Sequence, residues 1–221
     1  MIKKAITYII LVTILLFGTR KLIYIGILKN DNGYYSKYKH AFFETEYHEV
    51  LFLGSSRTAM HFDTEIFDSI TNFNSFNLSL SGAGPMVCHA ALKAYLSVHK
   101  SPRYLLYDPD FHELIHENKQ IMDFNNYFPF LTNNVLRTEF SKIDNRMNYF
   151  YYLPFYSLPY TTFKNISSSV HGWIGRPEKS AMQFIKGFQK VDDKPKLNFI
   201  PTKQVEGVLT VNNLTYIDSI I

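Results

Sequence analysis

A glycine, two serines and an arginine follow a short apolar run, at Gly54, Ser55, Ser56 and Arg57. The run at 50–53 is too short for a helix and starts with a β-branched valine, so it predicts a buried strand over 49–53. A glycine lets the chain turn sharply where the strand ends, and a serine just past such a turn stands at the edge of the sheet. Open α/β folds bind ligands there, and a serine hydroxyl with a base beside it attacks acyl carbons. The same residues also suit an ordinary strand followed by a polar turn.

A second block, farther along the chain, favours the same chemistry. Residues 75–81 alternate apolar and polar side chains and stop at Gly82, which predicts a second strand followed by a tight turn. A glycine lets its backbone approach a ligand closely, so the N–H groups of Ser56 and Gly82 would stabilise an oxyanion together.

Three further segments complete a predicted sheet. Residues 61–67 predict a short helix capped by Asp63 or Thr64, and 86–100 a longer one with apolar residues on one face. Residues 103–107 predict a third short strand. The order strand, short helix, strand, long helix, strand is typical of a parallel, doubly wound sheet.

Together the two blocks resemble those of the SGNH (GDSL-like) hydrolase superfamily. The first looks closest to its Gly-Ser-Ser variants, as in DltD-like, membrane-anchored members associated with surface polysaccharides. Over 49–110, Ser56 matches the family's nucleophile and Gly82 its oxyanion glycine, and Ser55 replaces its usual aspartate. The resemblance implies a three-layer, flavodoxin-like parallel sheet. It also implies cofactor-free ester hydrolysis or acyl transfer on surface glycans or other acyl esters, through an acyl-enzyme.

Two parts of the family's pattern differ in this chain. The third block normally supplies an asparagine after the third strand, where this chain has Asp108 and no asparagine. The last block, Asp-x-x-His, supplies the base, but none of the 8 histidines has an aspartate three residues before it. The family's last strands and this block would follow a helix like the one expected over 211–221. We therefore expect a chain that lacks its C-terminal part and is nearly inactive as written, because an unassisted serine is a weak nucleophile.

Other side chains are further candidates for the same site. Arg57 would bind an anionic group of a substrate, although a structural salt bridge also explains it. His61 follows Ser56 closely in the chain and either reaches the site or packs locally. Asp108 and His112 follow the third strand and would face the same edge of the sheet.

A competing signal comes from His112, Glu113 and His116, which match the zinc-peptidase pattern H-E-x-x-H. On a helix the two histidines would share one face and bind zinc, with Glu113 as the general base. The resemblance to zincin metallopeptidases covers this short motif alone. A polar turn or helix at the rim of the sheet explains the motif as well.

The N-terminal residues predict a membrane anchor over 1–28. Two lysines precede an uncharged apolar run at 5–17, and the segment 5–28 is long enough to span a bilayer if Arg20 and Lys21 reach the headgroups. The cleavage site of a signal peptide, with its small residues, is not recognisable. We therefore expect one uncleaved membrane-spanning helix, with the positive N-terminus inside and the bulk of the chain outside the cytoplasm.

The remaining chain divides into a polar connecting segment at 29–48 and one α/β domain at 49–221. The domain carries an aromatic-rich insertion at about 113–205. This insertion is interpreted as a helical subdomain with an aromatic core, or else as a lid, a sugar-stacking wall or a membrane-facing surface.

Composition narrows the classes of function. Hydrophobic residues make up 46% of the 221 residues, which is enough for a packed core. The net charge of +4 is mild and the basic residues are scattered, which argues against nucleic-acid binding. Cys88 is the single cysteine, so the chain forms no disulfide framework and no cysteine-based metal cluster. A non-catalytic, membrane-anchored surface or assembly protein is the third hypothesis, beside the esterase and the peptidase.

Overall fold

The computed structural model describes residues 2–31, 33–109, 121–176, 182–191, 215–216 and 219–220. They form a mixed α/β structure with a parallel sheet, an antiparallel hairpin and an apolar N-terminal helix. The strands are β1 (Val50–Gly54), β2 (Ser75–Asn77), β3 (Tyr104–Asp108), β4 (Met182–Ile185) and β5 (Phe188–Val191). The helices are α1 (Ile2–Leu28), α2 (Gly33–Phe43), α3 (Ser56–His61), α4 (Thr64–Thr71), α5 (Pro85–Leu96), α6 (Asn134–Ile143), α7 (Arg146–Tyr152), α8 (Pro154–Ser157) and α9 (Phe163–Ile174). Short 3₁₀ helices span Phe124–Thr132 and Leu158–Tyr160.

The predicted parallel sheet is confirmed, with strand order β2-β1-β3. Leu51 of the central strand pairs with Phe76 of β2, and every residue of β1 pairs with one of β3. The whole of β1 is buried, as expected for a strand covered on both faces. β2 is shorter than the predicted 75–81, although the N–H groups of Leu78 and Leu80 still donate to the carbonyl oxygens of Phe52 (2.9 Å) and Gly54 (3.0 Å) in β1.

Helices cover both faces of the sheet. The Phe52 side chain lies on one face, where its ring centroid is 5.2 Å from that of Phe62 and 5.1 Å from that of Phe67 in α4. Phe76 lies on the other face and stacks on Tyr95 of α5, with 6.1 Å between centroids. Aromatic contacts therefore hold the sheet between α4 and α5.

Two short helices, α3 and α4, replace the single helix predicted over 61–67. Asp63 accepts hydrogen bonds from the N–H groups of Glu65 (2.9 Å) and Ile66 (3.2 Å), which confirms it as the cap of α4. The polar turn predicted after β1 is instead the start of α3, capped by Ser55. A helix forms there because Ser55 supplies an acceptor for an N–H group that the first turn leaves without a partner.

The connecting segment expected at 29–48 contains α2, which is part of the core. Tyr35, Tyr38 and Phe42 recur at helical spacing and are each at most 3% exposed. The ring of Tyr38 stacks on Tyr127, with 4.7 Å between centroids. The sequence pattern does not predict this buried face, because polar residues alternate with the aromatic ones.

The described part of the aromatic-rich insertion at 121–176 is helical and has an aromatic core. The ring of Phe128 lies 4.6 Å from that of Phe150, and Tyr127 meets Phe140 edge-on at 5.1 Å. These rings belong to the same continuous core as the sheet and α2. The insertion therefore packs directly onto the rest of the protein.

The hairpin of β4 and β5 covers the outer edge of β2. Its turn residues Lys186 and Gly187 have positive φ (45° and 80°), as a two-residue hairpin turn requires. The Asn77 N–H donates to the Lys186 carbonyl (2.8 Å), so the turn occupies part of the exposed edge. The sequence pattern does not predict this hairpin, because its strands are too short for a clear alternation. The loop predicted over 190–203 and the helix predicted over 211–221 lie almost wholly outside the described residues.

Helix α1 has 27 residues and is long and apolar enough to cross a membrane. Only 6% of its most apolar stretch is buried in the protein, whereas Gly26 and Ile27 near its C-terminal end are buried. There the backbone of Gly26 approaches Gly172 of α9 so closely that a Cβ on Gly172 would overlap the Gly26 carbonyl oxygen. The helix therefore projects from the protein at its N-terminal end and packs tightly into it at the other.

Candidate active site at the carboxyl edge of the sheet

The carboxyl ends of the strands bring the predicted blocks together. Gly54 pairs with Asp108 in the parallel register, so Ser56 begins α3 beside the end of β3. Beyond β2, the Leu80 N–H donates to the Gly54 carbonyl (3.0 Å), which brings the chain just before Gly82 to the same edge. Both sequence blocks therefore lie at one edge of the sheet.

Gly54 is required by close packing. A Cβ at this position would collide with the Thr58 hydroxyl and lie 2.9 Å from the backbone oxygen of Asp108. The φ of Gly54 is not in the left-handed region, so the sharp turn expected at this glycine does not explain it. A glycine here lets α3 and β3 approach β1 closely.

The two serines differ in exposure and bonding. Ser55 is 2% exposed, and its hydroxyl oxygen accepts a hydrogen bond from the Arg57 N–H (3.4 Å) as the cap of α3. Ser56 is half-buried, and its hydroxyl makes no hydrogen bond to another described residue. Of the two serines, Ser56 is therefore the more accessible.

Asp108 contacts two side chains of α3. It accepts a hydrogen bond from the Thr58 hydroxyl (2.9 Å), and the Arg57 guanidinium lies 3.9 Å from its other carboxylate oxygen. Both members of this ion pair are partly exposed, so the pair adds little to stability. Asp108 thus orients α3 against β3, and Arg57 stands at the rim of the site.

Gly82 has the backbone conformation that favours glycine. Its φ is +62°, and a hydrogen bond from the Ala83 N–H to the Leu80 oxygen (3.2 Å) closes its turn. A Cβ at Gly82 would lie 2.6 Å from the sulfur of Met122. Another residue would therefore be strained both by its φ and by its contact with Met122.

The single cysteine lies between the two blocks. Cys88 is buried on α5, with its sulfur 3.7 Å from the Gly54 oxygen and 3.8 Å from the Ala83 oxygen. Burial raises the pKa of the nearby Tyr107 hydroxyl well above its usual value, and Cys88 and Asp108 raise it further. Burial therefore favours the protonated form of Tyr107 near neutral pH.

The sequence pattern does not single out Asn77, which joins β2 to α3. Its side chain is buried, and its amide donates to the backbone oxygens of Thr58 (2.9 Å) and Phe62 (3.2 Å). The signal for such a role is an asparagine in a buried strand, since a buried amide needs hydrogen-bond partners. Asn77 therefore positions the helix that carries Ser56.

The two histidines that the sequence analysis gives as candidates for the site are placed differently. His61 is exposed, and its Nδ1 lies 2.7 Å from the Arg57 carbonyl oxygen, so it hydrogen-bonds within its own helix. His112 lies outside the described residues, together with Glu113 and His116 of the zinc-peptidase motif.

Comparison with family models, with curated proteins and with solved structures finds no match to this chain. The carboxyl edge of its sheet holds an accessible serine hydroxyl, a glycine turn and an arginine–aspartate pair. A serine near backbone N–H donors is able to attack an acyl carbon once a base accepts its proton.

Proposed function

We propose that this protein is a membrane-anchored serine esterase or acyltransferase of the SGNH-like type, with Ser56 as its nucleophile. One observation carries the proposal: Ser56 is the accessible hydroxyl directly after the central strand of a parallel sheet with order β2-β1-β3. The chain moves from β1 to β2 on one side and then to β3 on the other, so the carboxyl end of β1 is a topological switch point. Open α/β sheets bind their ligands at such points.

In the proposed reaction the Ser56 oxygen attacks the acyl carbon of an ester while a base accepts its proton. The N–H groups of Ser56 and Gly82 donate hydrogen bonds to the oxyanion, and Arg57 binds an anionic group of the substrate. The proposed base is His112, or the histidine of an Asp-x-x-His block as the SGNH resemblance implies. The ester C–O bond then breaks, and the alcohol leaves with the proton that the base accepted, which gives the acyl-enzyme. The acyl group is finally transferred from Ser56 to water in a hydrolase, or to a glycan hydroxyl in a transferase.

The proposed location is a membrane, with the bulk of the chain outside the cytoplasm. The apolar N-terminal part of α1 is exposed, as a membrane-spanning segment would be. Its C-terminal part packs against α9 through Gly26, so cleavage after α1 would remove part of the folded structure. This contact supports an uncleaved anchor. Surface glycans or other acyl esters are the proposed substrates, as the SGNH resemblance implies.

A fluorophosphonate probe tests the nucleophile, because it reacts with serines that their surroundings have activated. The full chain in detergent and the complete product of its reading frame are labelled alongside Ser56→Ala and Ser69→Ala. Ser69 is an exposed serine on α4 whose hydroxyl donates only to the nearby Ile66 carbonyl (2.7 Å), which makes it a matched control.

We expect labelling of the parent and of Ser69→Ala, and a loss of more than about 100-fold in Ser56→Ala. Equal labelling of the two variants would show that Ser56 is not the nucleophile. A parent protein that stays unlabelled in both forms would contradict the esterase and favour the non-catalytic membrane protein.

A further inference from the structure

Three histidines and two glutamates gather at the amino end of the sheet, opposite the proposed active site. They come from α2, from the segment before β1 and from the chain after α5, and they are His40, Glu44, Glu46, His48 and His99. All but His99 line a cavity of about 260 Å³. The proposed esterase uses none of these residues.

Three of these side chains converge. The Nε2 atoms of His40 and His48 are 3.3 Å apart. One carboxylate oxygen of Glu46 lies 3.6 Å from Nε2 of His40, and the other lies 3.9 Å from Nε2 of His48. Two nitrogen ligands at about 2.0–2.1 Å from a tetrahedral ion are themselves roughly 3.3–3.4 Å apart. The two imidazoles therefore already have the separation of ligands to a single ion.

We propose that His40, His48 and Glu46 bind one divalent transition-metal ion, with zinc as the best match. Two imidazole nitrogens and a carboxylate, with a water as fourth ligand, are a donor set that zinc takes in proteins. The neighbouring cavity of about 260 Å³ has room for that water.

The other ring nitrogen of each proposed histidine ligand has a partner of its own. Nδ1 of His40 lies 2.8 Å from a carboxylate oxygen of Glu44, and Nδ1 of His48 lies 2.8 Å from the Tyr95 hydroxyl. Partners of this kind orient metal-binding imidazoles and set their tautomer. With Glu44 as acceptor, His40 carries its proton on Nδ1, and the lone pair of Nε2 is available to the ion.

The ring of His99 contacts the backbone of two of the proposed ligands. Its Nε2 lies 3.0 Å from the His40 carbonyl oxygen, and its Nδ1 lies 2.7 Å from the Glu46 carbonyl oxygen. The His99 ring stacks on Tyr95 with 4.0 Å between centroids and an interplanar angle of 6°. His99 is thus a positioning residue that fixes the ligand segment against α5.

The charges around the cavity permit a bound cation. Lys37 and Lys186 also line it, and their positive charges oppose a metal ion. Burial lowers the pKa of Lys37 to about 7, and Lys186 forms an ion pair with Asp68 (2.6 Å). Glu44 and Glu46 bring two negative charges to the same place. The two carboxylates therefore offset the charges of the lysines.

The alternative to a metal is a hydrogen bond between the two histidines. In that arrangement the Tyr95 hydroxyl donates to Nδ1 of His48, and the His48 Nε2–H donates to Nε2 of His40. A proton then occupies the place that the proposal gives to an ion, so metal binding distinguishes the two.

Zinc titration of the full chain in detergent, after treatment with a chelator, tests the site. Glu46→Gln keeps the size of an exposed side chain and removes its charge, so the variant is expected to fold. Glu65→Gln on α4 is the matched control, since Glu65 is an exposed carboxylate outside the cluster. We expect the parent and Glu65→Gln to bind one zinc ion per chain. Glu46→Gln should bind zinc more weakly by about 10- to 100-fold or more. Removing a residue that only hydrogen-bonds a metal ligand already lowers metal affinity by about that factor.

Cobalt gives a second readout that does not depend on folding stability. Co²⁺ bound in the parent should show the visible absorption of a tetrahedral site, and His40→Ala should abolish it while circular dichroism shows an intact fold. A parent that binds no zinc would overturn the proposal. A Glu46→Gln variant that binds zinc as the parent does would also overturn it, and would indicate an adventitious ion only. Fluorophosphonate labelling of Ser56 is a separate measurement, so failure of the metal site is distinguishable from failure of the esterase.

Discussion

Lys37 is a charged residue type placed inside the protein. Its side chain is 3% exposed, and its nitrogen donates to the carbonyl oxygens of Ser79 and of Gly187 (2.9 Å). Within the part of the chain that the structure describes, it forms no ion pair with a carboxylate. Burial lowers its pKa from 10.5 to about 7, so the folded protein loses this proton far more readily than the unfolded chain does.

Lys37→Met is expected to change how stability depends on pH. Between pH 7 and 10.5 the unfolded state binds more protons at this lysine than the folded state. Stability therefore rises with pH across this window, by at most about 1.4 kcal/mol per pH unit, and falls as the pH drops toward 7. Lys37→Met should remove this contribution, although the loss of two hydrogen bonds also changes its absolute stability.

Urea unfolding of the full chain in detergent at about pH 7.5 and about pH 9.5 measures this slope. Lys100→Met is the control, because Lys100 is exposed. The parent and Lys100→Met should gain stability between the two values by similar amounts, and Lys37→Met should gain clearly less. An equal gain in all three proteins would mean that Lys37 does not deprotonate in the folded state.

At the scale of elements, the sequence predicts structure where the local pattern and the packing agree. β1 and β3 are confirmed because short apolar runs bounded by glycine, proline or charge suit a parallel sheet. Ser56 and Gly82 are placed at one edge of this sheet because parallel strands end together. His112 lies outside the described residues, so its position relative to Ser56 is not given by the structure.

Other elements are fixed by contacts between distant segments. α2 has an aromatic face, but the lysines between its aromatic residues keep the sequence pattern from predicting it. The burial of this face becomes evident from its packing against residues after 121. The proposed metal site has the same origin. His40 and His48 lie on either side of a bend in the chain, and their nitrogens meet only because α2 docks beside the amino end of β1. Spacing in the sequence does not specify that bend.

The contact between α1 and α9 depends on small residues. A Cβ at Gly172 would overlap the Gly26 carbonyl oxygen, and a Cβ at Gly26 would collide with Ser169 and Trp173. Glycine and serine let helix backbones touch, as is common between helices in membranes. This crossing is the main connection between the apolar helix and the rest of the protein.

Gly172→Ala is expected to destabilise the protein by about 1–3 kcal/mol. The new Cβ would overlap backbone atoms, which cannot move away by a change of rotamer as a side chain can. Gly18→Ala on α1 is the matched control, since a Cβ there meets nothing within 4 Å. It should be neutral or slightly stabilising, because alanine favours a helix over glycine. Thermal unfolding in detergent, followed by circular dichroism, compares both with the parent. Equal stability of the two variants would contradict a tight crossing.

At the scale of the whole molecule, α9 buries polar residues and exposes apolar ones, which is the opposite of an ordinary helix of a soluble protein. Its buried positions are polar, at Asn165, Ser168 and Ser169. Its exposed face is apolar and carries Phe163, Ile166, Val170, Trp173 and Ile174. An exposed apolar face of this kind marks a surface that contacts a membrane or a partner. Its position against α1 favours the membrane.

The contacts of Trp173 place its ring beside the C-terminal part of α1. The Trp173 Nε1–H donates to the Leu22 carbonyl (3.0 Å), whereas the Ser168 carbonyl accepts from the Asn30 side chain farther along (3.1 Å). The ring of Trp173 also lies 4.0 Å from the Lys29 ammonium. If the N-terminal part of α1 spans the bilayer, Trp173 stands where it leaves the hydrocarbon, and tryptophan is enriched at that depth.

Trp173 is the single tryptophan, so its own fluorescence reports this depth. In vesicles of lipids brominated near the headgroups, we expect strong quenching of the parent and weak quenching by the soluble quencher acrylamide. Trp173→Phe combined with Tyr104→Trp moves the probe to β3, where Tyr104 is 44% exposed and distant in the chain from α1. That probe should respond to acrylamide and not to brominated lipid, because β3 lies in the sheet and outside the contact of α1 with α9. Quenching of Trp173 by acrylamide and not by brominated lipid would mean that α9 does not lie against the bilayer, and that its apolar face is covered by something other than lipid.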